Sequence, residues 1–436
     1  MQRRLISLPF FLLRTTTAGA AFVTGLVQTF VFAHVLSPER FSIFILVAAL
    51  GYSLWLIDFG IVKILFVKLR ANFLAGERSG ATAAHATAVS LFYFALTVAG
   101  ALLCVVITVR HASLLNAVEF GLFFLFVSLN LVWFALRNIA IAVDEYVLFE
   151  ALETIRRGGY FLGLAAVFFG LPLVVMLIAV NLLWAVVLAV CIRWLVARGA
   201  LVPRVGGAVE DLAAFFRANR TQLLRSGTYA ASEIYIYNYP YLIVPMLFGL
   251  GAPPIILDTS FKVFRGGATI FGAVCDILVP RQTSALAERD GPTLVRATLL
   301  AAALCAIPAS AACAILLFGA DRLFGFLLGN AAHMPPETTP ILIVLLLANV
   351  TQMVTHSVLV HNGYFKEVAR LGISVSAAMT TVATVAIVWH LDIVGFLEGY
   401  AAVYACGALA AVVLMIRGPI HLANGITAPK VVRRVL

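Results

Sequence analysis

Residues 173–196 read LVVMLIAVNLLWAVVLAVCIRWLV, with one charged side chain, Arg193, near the end. A run of this length and composition crosses about 30 Å of hydrocarbon as an α-helix. Outward from it in both directions the pattern recurs. Spanning segments are expected at about Pro9–Leu36, Phe41–Val67, Ala83–Val109, Leu114–Val143, Thr154–Gly170 and Leu173–Val196. In the second half they fall at Gln222–Leu250, from Pro253-Pro254 to Pro280, then Val295–Phe318, Thr338–Val360, Val368–Leu391 and Ile393–Ile416. The chain has 436 residues, of which 63% are hydrophobic and 11% charged, with mean hydropathy +1.04. A soluble domain carries about 25% charge. Alternating strand-length segments are absent from the pattern, which disfavours a transmembrane β-barrel.

The cations give the orientation. Twenty-seven of the 30 Lys and Arg residues fall on one side of this layout; Arg40, Arg110 and Arg322 fall on the other. Cytoplasmic loops are the cation-rich ones, so both termini are expected in the cytoplasm and the helix number is even. The net charge of +10 is therefore a topology signal, and no nucleic-acid partner is expected. Arg3 and Arg4 before an apolar run resemble a signal peptide, but Arg14 interrupts the run and apolar sequence continues to Leu36, so an uncleaved first helix is expected. The six cysteines lie in apolar runs without ligand spacing; neither a metal nor a cofactor is expected. Walker, nucleotide-loop and nucleophile-elbow motifs are lacking in the sequence, so an enzyme is not expected.

The domain expectation is a six-helix bundle over 1–196, a cytoplasmic linker over 197–221 and a second six-helix bundle over 222–436. A weak repeat supports it. At an offset of 218, Val143-Asp144-Glu145-Tyr146 falls on His361-Asn362-Gly363-Tyr364, and Asp58 falls on Asp276. Two halves of the same orientation form a parallel repeat.

Polar residues inside spans mark candidate sites, because a mid-bilayer charge costs about 2.5–3.5 kcal/mol on insertion scales. In the eighth span, Asp258, Lys262, Arg265, Thr269, Gly272 and Asp276 share one helical face. That face is either a solvated cavity wall or an internal ion-pair ladder. In the seventh, Arg225, Tyr229, Ser232 and Tyr239 share a face beside Glu233, and the run Tyr235–Tyr241 is rich in tyrosine and broken by Pro240. Its rings suit sugar contact, with an interfacial aromatic belt as the alternative. Arg14 and Arg137 sit near the inner ends of spans one and four, where they either line the cavity or snorkel to the surface. Asn349, Gln352 and His356 read as interhelical hydrogen-bonding groups. Arg14, Arg137, Arg225, Tyr229, Tyr239, Lys262 and Arg265 are thus candidates for substrate binding, and Asp58, Asp276 and Glu233 for ion coupling.

Three segments carry a family resemblance. Leu36-Ser37-Pro38-Glu39-Arg40-Phe41-Ser42-Ile43-Phe44 resembles the LGPEEFGLF segment of bacterial Wzx-type polysaccharide flippases. Leu56-Ile57-Asp58-Phe59-Gly60 is similar to their L-x-D-x-G, and Leu278-Val279-Pro280-Arg281 to Leu286-Ala287 resembles their LFPRLSRL. Ser42 and Arg40 depart from that pattern. The resemblance, to the multidrug/oligosaccharidyl-lipid/polysaccharide exporter superfamily, implies an all-α membrane fold of about twelve helices in two six-helix bundles around a central cavity. It implies alternating access, and a polyprenyl-diphosphate-linked oligosaccharide as cargo in a bacterial inner membrane. Membrane lipids and polysaccharide polymerase or export proteins would be its partners. The alternatives are a drug or organic-cation antiporter of the same superfamily, an integral membrane glycosyltransferase or polymerase, and a non-transporting scaffold.

Overall fold

The computed structural model describes residues 8–76, 80–203 and 206–423. The described residues are helical throughout, with short turns between helices. The helices are α1 (Leu8–Val35), α2 (Pro38–Ser53), α3 (Ile61–Leu74), α4 (Gly80–Thr108), α5 (Leu114–Ala142), α6 (Tyr146–Phe168) and α7 (Leu173–Ala197). They continue with α8 (Ala208–Phe248), α9 (Ala252–Ala287), α10 (Gly291–Leu328), α11 (Thr338–His361), α12 (Phe365–Val388) and α13 (Ile393–Met415). Taking α2 and α3 as halves of one broken passage gives the twelve expected. Among the described residues eight of these segments are long and apolar enough to cross a membrane. The chain is a multi-pass membrane protein.

Local chemistry fixes the helix starts. Ser37, Ser113, Asp290 and Asp392 each accept a first-turn N–H at the heads of α2, α5, α10 and α13. Pro38 follows Ser37 at the first helical position, where a missing N–H costs nothing.

Several boundaries differ from the sequence reading; α9 and α10 run past the expected Pro280 and Phe318 to Ala287 and Leu328, and three others change the layout. The second span is two helices, because Phe59 (φ +40°) and Gly60 (φ +75°) turn the chain left-handed after a 3₁₀ turn at Leu54–Asp58. α6 begins at Tyr146, eight residues before the expected Thr154. α8 begins at Ala208, so much of the stretch expected as a linker is helical.

The residues cluster into two compact units. Among the described residues, one comprises those within 8–13 and 34–234, and the other those within 14–33 and 235–423. The first therefore takes the early part of α8, and the second takes the rest of α8 and most of α1. Each unit is built on one central helix. Within its most apolar window α5 is 72% buried and α11 61%, against 22% for α4 and 17% for α12. In the first unit Phe44 of α2 meets Phe120 and Phe123 of α5 edge-on at 4.9 and 5.1 Å. Trp133 stacks on Phe149 at 4.1 Å and meets Trp184 at 5.6 Å. In the second, Asn349 of α11 donates to the Phe264 carbonyl of α9 at 2.8 Å, as expected of an interhelical polar group.

The internal repeat is present, in a shifted register. After α5, Asp144 and Glu145 donate backbone N–H groups to the Ile141 and Ala140 carbonyls; after α11, Gly363 and Tyr364 do so to Val360 and Leu359. The two turns match at an offset of 219, and each has a left-handed residue, Asp144 or Gly363, at the same place. After α6, Phe169, Gly170 and Leu171 bond to Ala165, Val167 and Ala166. After α12, Trp389, His390 and Leu391 bond to Val385, Ile387 and Ala386, now at an offset of 220. Helix pairing repeats as well: α5 packs on α4, α6 and α7, and α11 on α10, α12 and α13. The Asp58–Asp276 correspondence does not extend to structure. Asp58 lies at a helix break and Asp276 inside the continuous α9.

Candidate functional site

The eighth-span stripe lies on α9, within the second unit. Lys262 Nζ stands 2.7 Å from Asp258 Oδ2 one turn earlier and donates to Thr29 Oγ1 of α1 at 2.7 Å. Asp258 is buried, and Lys262 neutralises it. The ladder reading therefore accounts for Lys262. Exposure rises along the same face: Thr269 and Asp276 are exposed.

Arg265 has no such counter-ion. Its Nη2 donates to the Tyr237 carbonyl and, at 3.1 Å, to Asn238 Oδ1, both on α8. Its Nε finds no hydrogen-bond partner. Around the guanidinium stand the rings of Tyr241, Tyr237 and Phe261, at 4.9, 5.7 and 5.8 Å. Each such cation–π contact contributes about 0.5–2 kcal/mol. Among the described residues no carboxylate reaches ion-pair distance of it.

Pro240 explains the free carbonyls. It lacks an N–H, so the Ile236 carbonyl loses its intrahelical donor and the ladder opens there. Tyr400 of α13 donates its hydroxyl to Ile236 O at 3.2 Å, and Arg265 takes the neighbouring Tyr237 carbonyl. Tyr404, on the next turn, meets Phe264 edge-on at 4.8 Å and places its hydroxyl 3.1 Å from that of Tyr237. Tyr239 stacks on Tyr235 at 4.7 Å, and the Tyr235 hydroxyl is 2.7 Å from Thr380 Oγ1 of α12. The tyrosine run thus splits: Tyr237 and Tyr241 wrap Arg265, while Tyr235 and Tyr239 pair apart from it.

In the first unit Asp58 caps the broken helix. Its Oδ2 accepts from Gly60 N–H and its Oδ1 from Val62 N–H, both at 3.1 Å, and Oδ1 also accepts from the Tyr93 hydroxyl at 2.7 Å. The Phe59 ring pushed out by this turn rests on Gly227 of α8, where an added Cβ would lie 2.6 Å from it. Arg137 stands 3.7 Å from Glu150 of α6, Arg70 pairs with Asp144 at 2.9 Å, and Arg40 pairs with the buried Glu119. Glu233 is half-buried. The side chains of Arg14, Arg225 and Tyr229 lie outside the described residues.

The sequence reading missed one group. On α6, Glu153 accepts from Arg156 Nε and Nη2 at 2.9 and 2.7 Å, and lies 2.6 Å from Arg157 Nη2. The Arg156 guanidinium sits 4.4 Å from the Trp184 ring centre. Starting the fifth span at Thr154 placed Glu150 and Glu153 in a loop and let Arg156 and Arg157 count as loop cations. The signal that finds them is the i, i+3 and i, i+4 spacing of Glu153 to Arg156 and Arg157.

No family model and no curated protein sequence matches the chain. Solved structures do. A eukaryotic MATE transporter, AtDTX14, superposes with a TM-score of 0.66 at 14% identity, over 98% of this chain and 97% of that one. An inward-facing multidrug resistance MATE transporter of the MOP superfamily gives 0.64 at 13% identity, over 96% and 100%. A MOP superfamily transporter from Pyrococcus furiosus Vc1, whose binding pocket has reversed polarity suggesting a different function, gives 0.60 at 13% identity, over 96% of each chain. The chain has the fold of these transporters.

Proposed function

We propose that this chain is an alternating-access transporter that flips a polyprenyl-diphosphate-linked oligosaccharide across a bacterial inner membrane, with both termini cytoplasmic. The observation that carries the reading is Arg265: a guanidinium on a deep helix, held by a carbonyl and an amide oxygen, faced by aromatic rings, and with no carboxylate at ion-pair distance among the described residues. A planar fork of donors suits phosphate oxygens, and low dielectric strengthens that attraction. Tyr235 and Tyr239 supply ring and hydroxyl surfaces of the kind sugars stack on. Arg14, Arg137 and Arg225 are the further cations we assign to the cargo path, with Tyr229 beside them. Polymerase or export proteins would receive the product.

The coupling ion would act through Asp276, Glu233 or Asp58. Asp58 already has both oxygens engaged by Gly60, Val62 and Tyr93, so an ion there would displace a helix cap. Asp276 is exposed on α9 and offers the easier access.

The test is transport of a lipid-linked oligosaccharide into sealed vesicles. Arg265→Ala is expected to accumulate in the membrane and abolish transport. Arg265→Lys should restore part of it, because a point charge lacks the bidentate contact. Full activity in Arg265→Ala, or failure of that variant to fold, defeats the reading. A drug or organic-cation antiporter is the second reading, favoured by the likeness to a multidrug MATE transporter. Efflux of a cationic dye that survives Arg265→Ala would select it.

A further inference from the structure

The α6 charges have no role in the cargo path, and the second copy of the internal repeat does not carry the same cluster. At the offset of 219, Arg137, Glu150, Glu153, Arg156 and Arg157 fall on His356, Ala369, Gly372, Val375 and Ser376. The second unit repeats the pairing of three helices there, with a histidine and otherwise small or apolar side chains. Val375 closes on Gly407 of α13, where an added Cβ would lie 2.8 Å from it, and Ala369 is buried. At that offset the charged cluster of one repeat meets no carboxylate or guanidinium in the other, although the offset has become 220 by the end of the helix.

The cluster is also unbalanced. Arg137, Arg156 and Arg157 face two carboxylates, Glu150 and Glu153. Arg156 binds Glu153 through two donors, is 6% exposed and lies over Trp184, so it holds that carboxylate in place. Arg157 then reaches the same Oε1 atom that Arg156 Nη2 already occupies. Its side chain is 28% exposed, and its Nε has no hydrogen-bond partner. Beside it, one turn on, Tyr160 is 5% exposed with an unpartnered hydroxyl. Counting from Tyr146, Arg157 is about 16 Å along α6 at 1.5 Å per residue.

We propose that Arg157, with Arg137 and Tyr160, forms an oxyanion site in the first unit that takes a phosphate ester. Glu153 and Arg156 are its positioning residues: they orient Arg157 from behind and leave its outer donors for the ligand. Two sources could supply that phosphate, a bilayer lipid headgroup or the diphosphate of the cargo. The site stands whether or not Arg265 binds cargo.

The experiment titrates the whole chain, purified in detergent, with inorganic pyrophosphate by calorimetry. Wild-type protein is expected to show a binding event that Arg157→Gln removes and Arg265→Gln leaves in place. Arg157→Lys, which keeps charge and loses the fork, should bind roughly tenfold more weakly. Arg137→Gln should weaken binding without abolishing it. Native mass spectrometry of the same preparations then separates the sources. A co-purified phospholipid lost in Arg157→Gln assigns the headgroup; pyrophosphate binding without such an adduct assigns the cargo diphosphate. Unchanged binding in both Arg157→Gln and Arg157→Lys overturns the site, as does loss of folding in Arg157→Lys, which would make the cluster structural. If only Arg265→Gln loses binding, this proposal fails and the α9 site survives.

Discussion

Asp258 and Lys262 test the α9 face at the scale of single residues. Removing the ammonium leaves a buried carboxylate, 6% exposed, without its counter-ion. Breaking a buried pair this way costs about 3–5 kcal/mol, whereas replacing both partners with neutral groups is often close to neutral. Lys262→Met should therefore lower the melting temperature in detergent, and Asp258→Asn with Lys262→Met should recover most of it. The same pair of variants should leave the Arg265 cradle intact, since Tyr237 and Asn238 hold it from α8. The Asp258–Lys262 pairing was legible in the sequence, because i, i+4 spacing fixes it on one helix. The cradle was not, because Tyr237, Asn238 and Arg265 meet only through tertiary contact. Thr29 as a partner of Lys262 was hidden for the same reason.

At the scale of the element, the break between α2 and α3 is the feature that hydropathy concealed. Residues 41–67 are apolar almost throughout, so a continuous span was the natural reading; only Asp58, Phe59 and Gly60 carry the turn. Gly60 holds φ +75°, and a residue with Cβ there costs about 1–2 kcal/mol. Gly60→Ala should destabilise the protein by about that amount, measured by thermal unfolding. Asp58→Asn keeps one acceptor of two and should cost about 1 kcal/mol through the lost cap. A transport defect in Asp58→Asn with unchanged melting would instead speak for ion coupling. On α9, Gly266 packs against the Phe22 ring of α1 so closely that no Cβ fits. Gly266→Ala should reduce accumulation of folded protein, and Phe22→Ala in the same chain should partly restore it. The starts of α6 and α8 were misplaced for one physical reason. Polar and charged side chains interrupt the apolar signal there, yet helix propensity carries the backbone through them, with intrahelical ion pairs adding to it on α6.

At the scale of the molecule, fold class and helix number were readable because length and hydropathy alone constrain a spanning helix. Orientation rests on the cations. A reporter that works only in the cytoplasm, fused after Leu436, is expected to be active; activity of an export-only reporter at that position would reverse the layout. The repeat was half legible: a fixed offset of 218 found the right neighbourhood and the wrong register, since a turn is defined by which carbonyl each N–H reaches.

The two offsets differ because α6 has 23 residues and α12 has 24. One added residue turns a helix by about 100° and lengthens it by 1.5 Å. If the two halves descend from a single duplicated gene, one codon gained or lost within this helix after the duplication would have rotated every later side chain of that copy onto a new face. Ancestry and chemistry would then have parted in a single step. The left-handed turns kept their geometry, while the surface between them was free to acquire arginines in one copy and alanine, glycine, valine and serine in the other.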